Sequence, residues 1–158
     1  MLSLRDNMYM EICFVTFDNK YLEKSYEWLT DPEINRLTDA GAISRSKQKI
    51  WFDNLKIRRD YLIWGVAHNG NPVGTVGIKN INGISGEYFG YIGEKEFWGK
   101  GIGKKMLSFA ILECKKREIR RIILRVRNDN ERAIRLYRKF GFTEETIENG
   151  IIQMKIQL

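Results

Sequence analysis

Glycine takes every second position in Gly99-Lys100-Gly101-Ile102-Gly103, between a β-favouring run at residues 87–93 and an amphipathic run reaching about Lys116. A strand that passes through such a loop into a helix requires an α/β fold and leaves a helix N-terminus open. Successive backbone N–H groups there can converge on an anion, and missing Cβ atoms let its oxygens approach. Lys100, Lys104 and Lys105 add charge of the matching sign. The spacing is not G-x-x-x-x-G-K-[ST], nor G-x-G-x-x-G, whose last glycine would fall at Met106. A glycine-rich turn with no ligand is the alternative.

The charge points the same way. Residues 99–139 hold 14 Lys and Arg against 4 Asp and Glu, leaving 13 basic and 16 acidic residues elsewhere in a chain of net charge +7. Such a field favours nucleic acid, anionic lipid or a phosphorylated small molecule. Nucleic acid is not expected, because helix-turn-helix, zinc-spacing and ribonucleoprotein motifs are missing. No membrane partner is expected either: no apolar run approaches ~18 residues and the first residues carry no secretory pattern. Cys13 and Cys114 match neither a metal site nor a disulfide framework, which predicts no metal and a cytoplasmic protein. With 158 residues and 43% hydrophobic composition, a single domain over 1–158 can build its own core.

Periodicity supplies the elements. Residues 8–17 read as a strand with Ile12, Phe14 and Phe17 apolar. Asp18 caps a helix carrying Leu22, Tyr26 and Leu29; Pro32 ends it, and residues 33–38 add a short turn. Ser46 starts a second helix with Ile50, Trp51 and Leu55 toward the core. Strands at 61–68 and 72–79 flank Asn69-Gly70-Asn71, a hairpin signal. Residues 80–86 read as a polar turn, and Gly90 in the strand at 87–93 suggests a bulge or a close approach. The helix after the glycine loop turns Met106, Leu107, Ala110, Ile111 and Cys114 inward. A strand at 122–126, a helix at 130–140 stopped by Gly141, and a hairpin of 142–147 with 151–158 complete one mixed α/β domain.

The downstream stretch adds Asn130, Ala133, Ile134, Leu136, Tyr137, Lys139, Gly141 and Phe142 in the pattern N-x-x-A-[IV]-x-L-Y-x-[KR]-x-G-F. Together with the glycine loop, this resembles motifs A and B of the GCN5-related N-acetyltransferase (GNAT) superfamily. Trp98 stands where motif A usually has Arg or Gln. Residues 87–101 look like the branch holding ribosomal-protein-alanine, diamine and amino-sugar-nucleotide acetyltransferases. The resemblance implies a single mixed, mostly antiparallel sheet flanked by helices, with a V-shaped splay of strands for acetyl-CoA. It implies pantetheine along Tyr91, Ile92 and Gly93, and pyrophosphate over Gly99, Lys100, Gly101, Ile102, Gly103 and Lys104. It also implies Asn130 near the pantetheine arm and Tyr137 near the thioester sulfur.

Acetyl transfer to nitrogen needs a neutral amine, yet with a pKa near ~10.4 only about one in ~2,500 molecules is neutral at pH 7. Glu87, at the start of the splayed strand, is the expected base through a water, and a strand N–H near Tyr91 or Ile92 the expected oxyanion donor. Tyr137 is the expected proton donor to the leaving thiolate. His68 reads as a surface residue and Cys114 as core. The acceptor wall falls to residues 21–38, 39–46 and the last hairpin. An amino-sugar nucleotide ranks first as acceptor, a ribosomal-protein N-terminus second and a polyamine third. The enzyme is expected as a monomer or homodimer. Different classes remain: a catalytically silent acyl-CoA-binding regulator or a nucleic-acid-binding module.

Overall fold

The computed structural model describes residues 11–158. Strand β1 (Ile12–Thr16) leads to helices α1 (Asn19–Thr30), α2 (Pro32–Thr38) and α3 (Arg45–Asn54). Strands β2 (Leu62–His68), β3 (Asn71–Asn82) and β4 (Ser85–Ile92) form a meander. A 3-10 turn (Lys95–Phe97) and the glycine loop precede α4 (Ile102–Lys116). Then come β5 (Arg121–Arg127), α5 (Glu131–Phe140) and the hairpin of β6 (Thr143–Glu148) and β7 (Ile151–Gln157). The seven strands of the described residues join one sheet in the order β1-β2-β3-β4-β5-β7-β6. Among the described residues only the β4–β5 pair is parallel. The part of the expected first strand at residues 8–10 lies outside the described residues.

Local chemistry accounts for most element ends. The Asp18 side chain accepts the Tyr21 N–H at 3.3 Å and starts α1. Pro32 does more than end that helix. It opens α2 from a first-turn position, where its missing N–H costs nothing, while Asp31 caps Glu33 and Ile34. Helix α3 begins one residue before Ser46, because Ser44 accepts the Lys47 N–H. Its Ile50 is 62% exposed, against expectation. The face turned inward is Trp51 and Phe52, which pack edge-on and tilted against Phe17, and the helix period carries Ile50 away from them. Both two-residue hairpin loops use Asn-Gly with positive φ at each residue (Asn69 47°, Gly70 83°; Asn149 51°, Gly150 77°).

Two expectations shift. The turn assigned to residues 80–86 shrinks, since β3 continues to Asn82 through an irregularity after Lys79. Gly90 makes no bulge: its register with Val76 is regular. A Cβ there would lie 2.8 Å from the Tyr88 hydroxyl and 2.9 Å from Met106 Cε, so glycine answers a close approach.

Two apolar layers sandwich the sheet. The larger joins Val66, Val76, Ile78, Met106, Leu107 and Leu124 under α4 and α5. The smaller joins Phe17, Tyr21, Leu22, Trp28 and Ile34 under α1 and α2. Burying each such side chain contributes roughly 1.5–3 kcal/mol. Among the described residues no helix is long and apolar enough to cross a membrane.

Candidate active site

The parallel pairing of β4 with β5 lasts for three partners only: Ser85 with Arg121, Gly86 with Ile122 and Glu87 with Ile123. Beyond them β4 follows β3, β5 follows β7, and the sheet opens between residues 88–92 and 124–127. This is the expected V-shaped splay. It forms the floor of a cleft of ≈ 1240 Å³.

Register settles which backbone groups face the gap. The Gly93 N–H donates to the Val73 carbonyl at 2.8 Å, in line with the Gly74–Ile92 pairing. Alternate residues of an antiparallel ladder bond the same neighbour. Gly93, Tyr91 and Phe89 therefore turn their amides to β3, and Tyr88, Gly90 and Ile92 turn theirs into the gap. The Trp98 indole agrees, donating to the Ile92 carbonyl at 2.8 Å. The Tyr91 amide, expected as oxyanion or pantetheine donor, is thus turned to β3, and Gly90 presents its N–H to the gap instead, while Ile92 keeps its own N–H for the cleft.

At the mouth of the gap, Gly99 (φ 75°) and Gly101 (φ 82°) hold the left-handed backbone that the loop needs. A Cβ on either would meet nothing within 4 Å, so open space lies over the loop. Gly101 is the N-cap of α4 and has no side chain to cap it, which leaves the helix N–H groups directed at the cleft. Gly103 and Lys104 line the same space. Ile102 sends its side chain into the core and offers only its backbone. This is a fitting cradle for a pyrophosphate.

Asn130 caps α5, its Oδ1 accepting the Ala133 N–H at 3.4 Å, so the amide nitrogen remains available to the cleft it lines. Tyr137 stands on α5 with its ring edge-on to Tyr88 at 6.2 Å and tilted on Phe142 at 5.9 Å. Burial pushes its phenol up to about 12, so it enters any reaction protonated. Glu87, its side chain only 12% exposed, meets Lys79 Nζ at 3.6 Å and accepts from Asn80 Nδ2 at 3.3 Å.

Cross-strand partners share a face of the sheet. Gly65, Thr75 and Tyr91 form one row, with the Tyr21 ring of α1 packed on Gly65. Ile63, Gly77 and Phe89 form the next, and Lys79, Glu87 and Ile123 the third. Arg125 and Arg127 continue this face along β5, whereas Tyr88, Gly90, Leu124 and Val126 look toward α4 and α5. The α1–α3 side of the cleft is aromatic, with Tyr61 5.4 Å from Phe89 and 6.0 Å from Trp51. Burial also pushes the Tyr61 phenol up to about 12 and the Tyr91 phenol higher still.

Of the residues expected from sequence, Glu87, Tyr91, Ile92, Gly99, Gly101, Ile102, Gly103, Lys104, Asn130 and Tyr137 all line this one cleft. Gly93 and Lys100 do not. Gly93 spends its N–H on Val73 and lies under the Trp28 ring, and Lys100 turns its Nζ over Phe97. His68 sits against Phe97 at a strand end, and Cys114 is buried in the core with its thiol pushed up to about 11. Arg36 lines the cleft from within the expected acceptor wall of residues 21–38; Trp51, Tyr61, Phe89, Arg125 and Arg127, which sequence did not place at the site, line it as well. For the last two a signal existed: arginine alternates with Leu124 and Val126 along β5, the mark of a two-faced strand.

The model of the acetyltransferase (GNAT) family matches residues 22–142. Over 143 residues the chain is 27% identical to a mycothiol acetyltransferase of Saccharomonospora viridis, covering 81% of this chain and 41% of that protein. Over 117 residues it is 32% identical to an uncharacterized N-acetyltransferase of Methanocaldococcus jannaschii, covering 70% of this chain and 52% of that protein. The chain thus spans about half the length, or less, of these curated relatives. The solved spermidine N-acetyltransferase of Vibrio cholerae, in complex with CoA and spermine, superposes with a TM-score of 0.83 at 20% identity, covering 92% of this chain and 95% of that one.

Proposed function

The chain belongs to the GNAT acetyltransferase family, and from that premise we propose that it is an acetyl-CoA-dependent N-acetyltransferase acting on a primary amine. One observation carries the proposal. An uncapped helix N-terminus opens onto a gap between β4 and β5 into which Tyr88, Gly90 and Ile92 direct their amides. A long acyl donor with an anionic head and an amide-bearing arm suits this geometry, the head over Gly99–Lys104 and the arm along β4. Relatives solved with coenzyme A support the same donor.

In the reaction we propose, the amine nitrogen attacks the thioester carbon directly, the C–S bond breaks, and the thiolate leaves. The N–H of Gly90 or Ile92 meets the developing oxyanion. Glu87 receives the amine proton through a water, its ion pair with Lys79 orienting it. Tyr137, protonated by virtue of its burial, donates to the departing sulfur. An amino-sugar nucleotide is the first acceptor to test, then a ribosomal-protein N-terminus, then a polyamine. The cytoplasm is the location this reading calls for, and residues 1–158 form the one domain we propose to carry the activity.

The test is thiol release from acetyl-CoA across an amine panel, with acetylated products identified by mass spectrometry. Thiol release that depends on an amine supports the proposal. A rise in melting temperature with acetyl-CoA but no transfer to any amine would overturn it in favour of a silent acyl-CoA-binding protein.

A further inference from the structure

The α1–α3 side of the cleft carries a basic group that the proposed chemistry does not use. Arg125 and Arg127 rise from β5 on the same face as Glu87, and both line the cleft. Arg125 has no carboxylate partner among the described residues. The Arg127 Nε–H is buried and donates to no hydrogen-bond partner, standing 3.7 Å from Asp129 Oδ1, too far for such a bond. From the opposite wall, Arg36 on α2 reaches across to Asp129 Oδ2 at 2.7 Å. One carboxylate therefore stands between two guanidiniums with a third beside them. Glu87 adds no compensation because it is matched by Lys79, and Arg121, further down the strand, is matched by Glu145.

Three cations with one internal counter-ion, one N–H of which is desolvated and unpaired, form a receptor for an oxyanion. We propose that the acceptor amine carries a phosphoryl or carboxylate group, bound by Arg125 and Arg127 with Arg36, which slides from Asp129 toward it. The inference rests on the N-acetyltransferase reading and names the substrate class for it. Strand geometry supplies a ruler. Arg125 and Arg127 lie two and four residues beyond the row of Glu87, about 7 and 13 Å along β5. An amine placed at Glu87 thus has its anion several bonds away, which excludes the carboxylate of an α-amino acid. It fits an amino sugar bearing a phosphate or diphosphate, or an ω-amino acid. A polyamine meets repulsion at the same point.

The experiment compares matched probes on the whole chain saturated with CoA, by calorimetric titration and by acetyl transfer. Glucosamine 6-phosphate is set against glucosamine, 6-aminohexanoate against hexylamine, and spermidine serves as the polycation. In at least one pair the anionic member binds tenfold or more tightly than its neutral counterpart, and which pair responds tells phosphoryl from carboxylate. In the Arg125→Gln/Arg127→Gln variant that advantage falls below threefold, while the rise in melting temperature with acetyl-CoA is unchanged, so the fold and donor site are intact. No preference in either pair, a preference that survives the double substitution, or tightest binding of spermidine overturns the inference. Transfer confined to neutral or cationic amines overturns it and spares the N-acetyltransferase reading. Anion-selective binding with no transfer to any probe supports the arginine site and counts against that reading instead.

Discussion

Replacing Tyr137 by Phe isolates one hydroxyl. The ring keeps its contacts with Tyr88 at 6.2 Å and Phe142 at 5.9 Å, each aromatic pair being worth about 0.5–1.5 kcal/mol, so the melting temperature should hardly move. The kinetic cost follows from the phenol's burial. A positioned general acid contributes typically ~10²–10⁴-fold. A phenol pushed up to about 12, however, faces a thiol whose ordinary value is ~8.5, and full proton transfer to the thiolate is uphill by about 5 kcal/mol. In the proposed reaction Tyr137 would therefore act chiefly by hydrogen bonding to sulfur as charge collects there. A hydrogen bond to a charged group is worth about 1.5–3 kcal/mol, which predicts a loss of roughly 10–150-fold, the low end of general-acid effects. The loss belongs in kcat, with acetyl-CoA affinity little altered. Single-turnover transfer by the variant at saturating acetyl-CoA measures it. A rate within about threefold of the parent would make Tyr137 a packing residue and leave the leaving group without a donor.

Gly103→Glu meets only Leu136 at 3.5 Å, so the apo-fold should persist while the new carboxylate opposes a phosphate. The rise in melting temperature with acetyl-CoA should disappear, and an undiminished rise would remove the loop from the donor site. Glu87→Gln should lower the rate and move the alkaline pH optimum upward with donor affinity unchanged; an identical pH–rate profile would discard Glu87 as base. Gly93→Ala puts a Cβ 2.0 Å from the Trp28 ring, and such overpacking typically costs about 1–3 kcal/mol, read as a drop of several degrees in melting temperature. Equal stability there would show that Trp28 yields freely. Finally, the phenols of Tyr61 and Tyr137 are held near 12 against an ordinary ~10, so the folded chain binds these protons more tightly than the unfolded one. Their contribution to stability is complete below pH 10 and is lost as pH rises toward 12. Melts across that window should show a slope that Tyr137→Phe reduces, and an unaltered slope would contradict the sign.

Much of this protein was legible along the chain because its signals are local. Asn69-Gly70 and Asn149-Gly150 demand positive φ from two adjacent residues, whatever surrounds them. Asp18, Asn130 and Gly141 begin or end helices through bonds within a few positions. The glycine loop and the run from Asn130 to Phe142 marked the half of the cleft proposed for the donor in the same way. Local pattern misled where a helix had two apolar faces to choose from: Ile50 competes with Trp51 and Phe52, and only the position of Phe17 decides.

What tertiary structure alone decided is the other half of the cleft. Whether the Tyr91 amide or the Gly90 amide faces the gap depends on the register of β4 against β3, and one residue of slip would exchange them. Arg36 and Asp129 are 93 positions apart and meet only because α2 folds over the opened sheet. In sequence Arg125 and Arg127 are two charges within a basic stretch, and only the parallel pairing of three residues puts them on the face of Glu87. Backbone conformation answers to neighbours in sequence, whereas the direction of a side chain into a shared space answers to strand pairing. The proposed donor cradle is made of backbone and was written in the chain; the proposed acceptor wall is made of side chains from separated segments, brought together only by the tertiary fold.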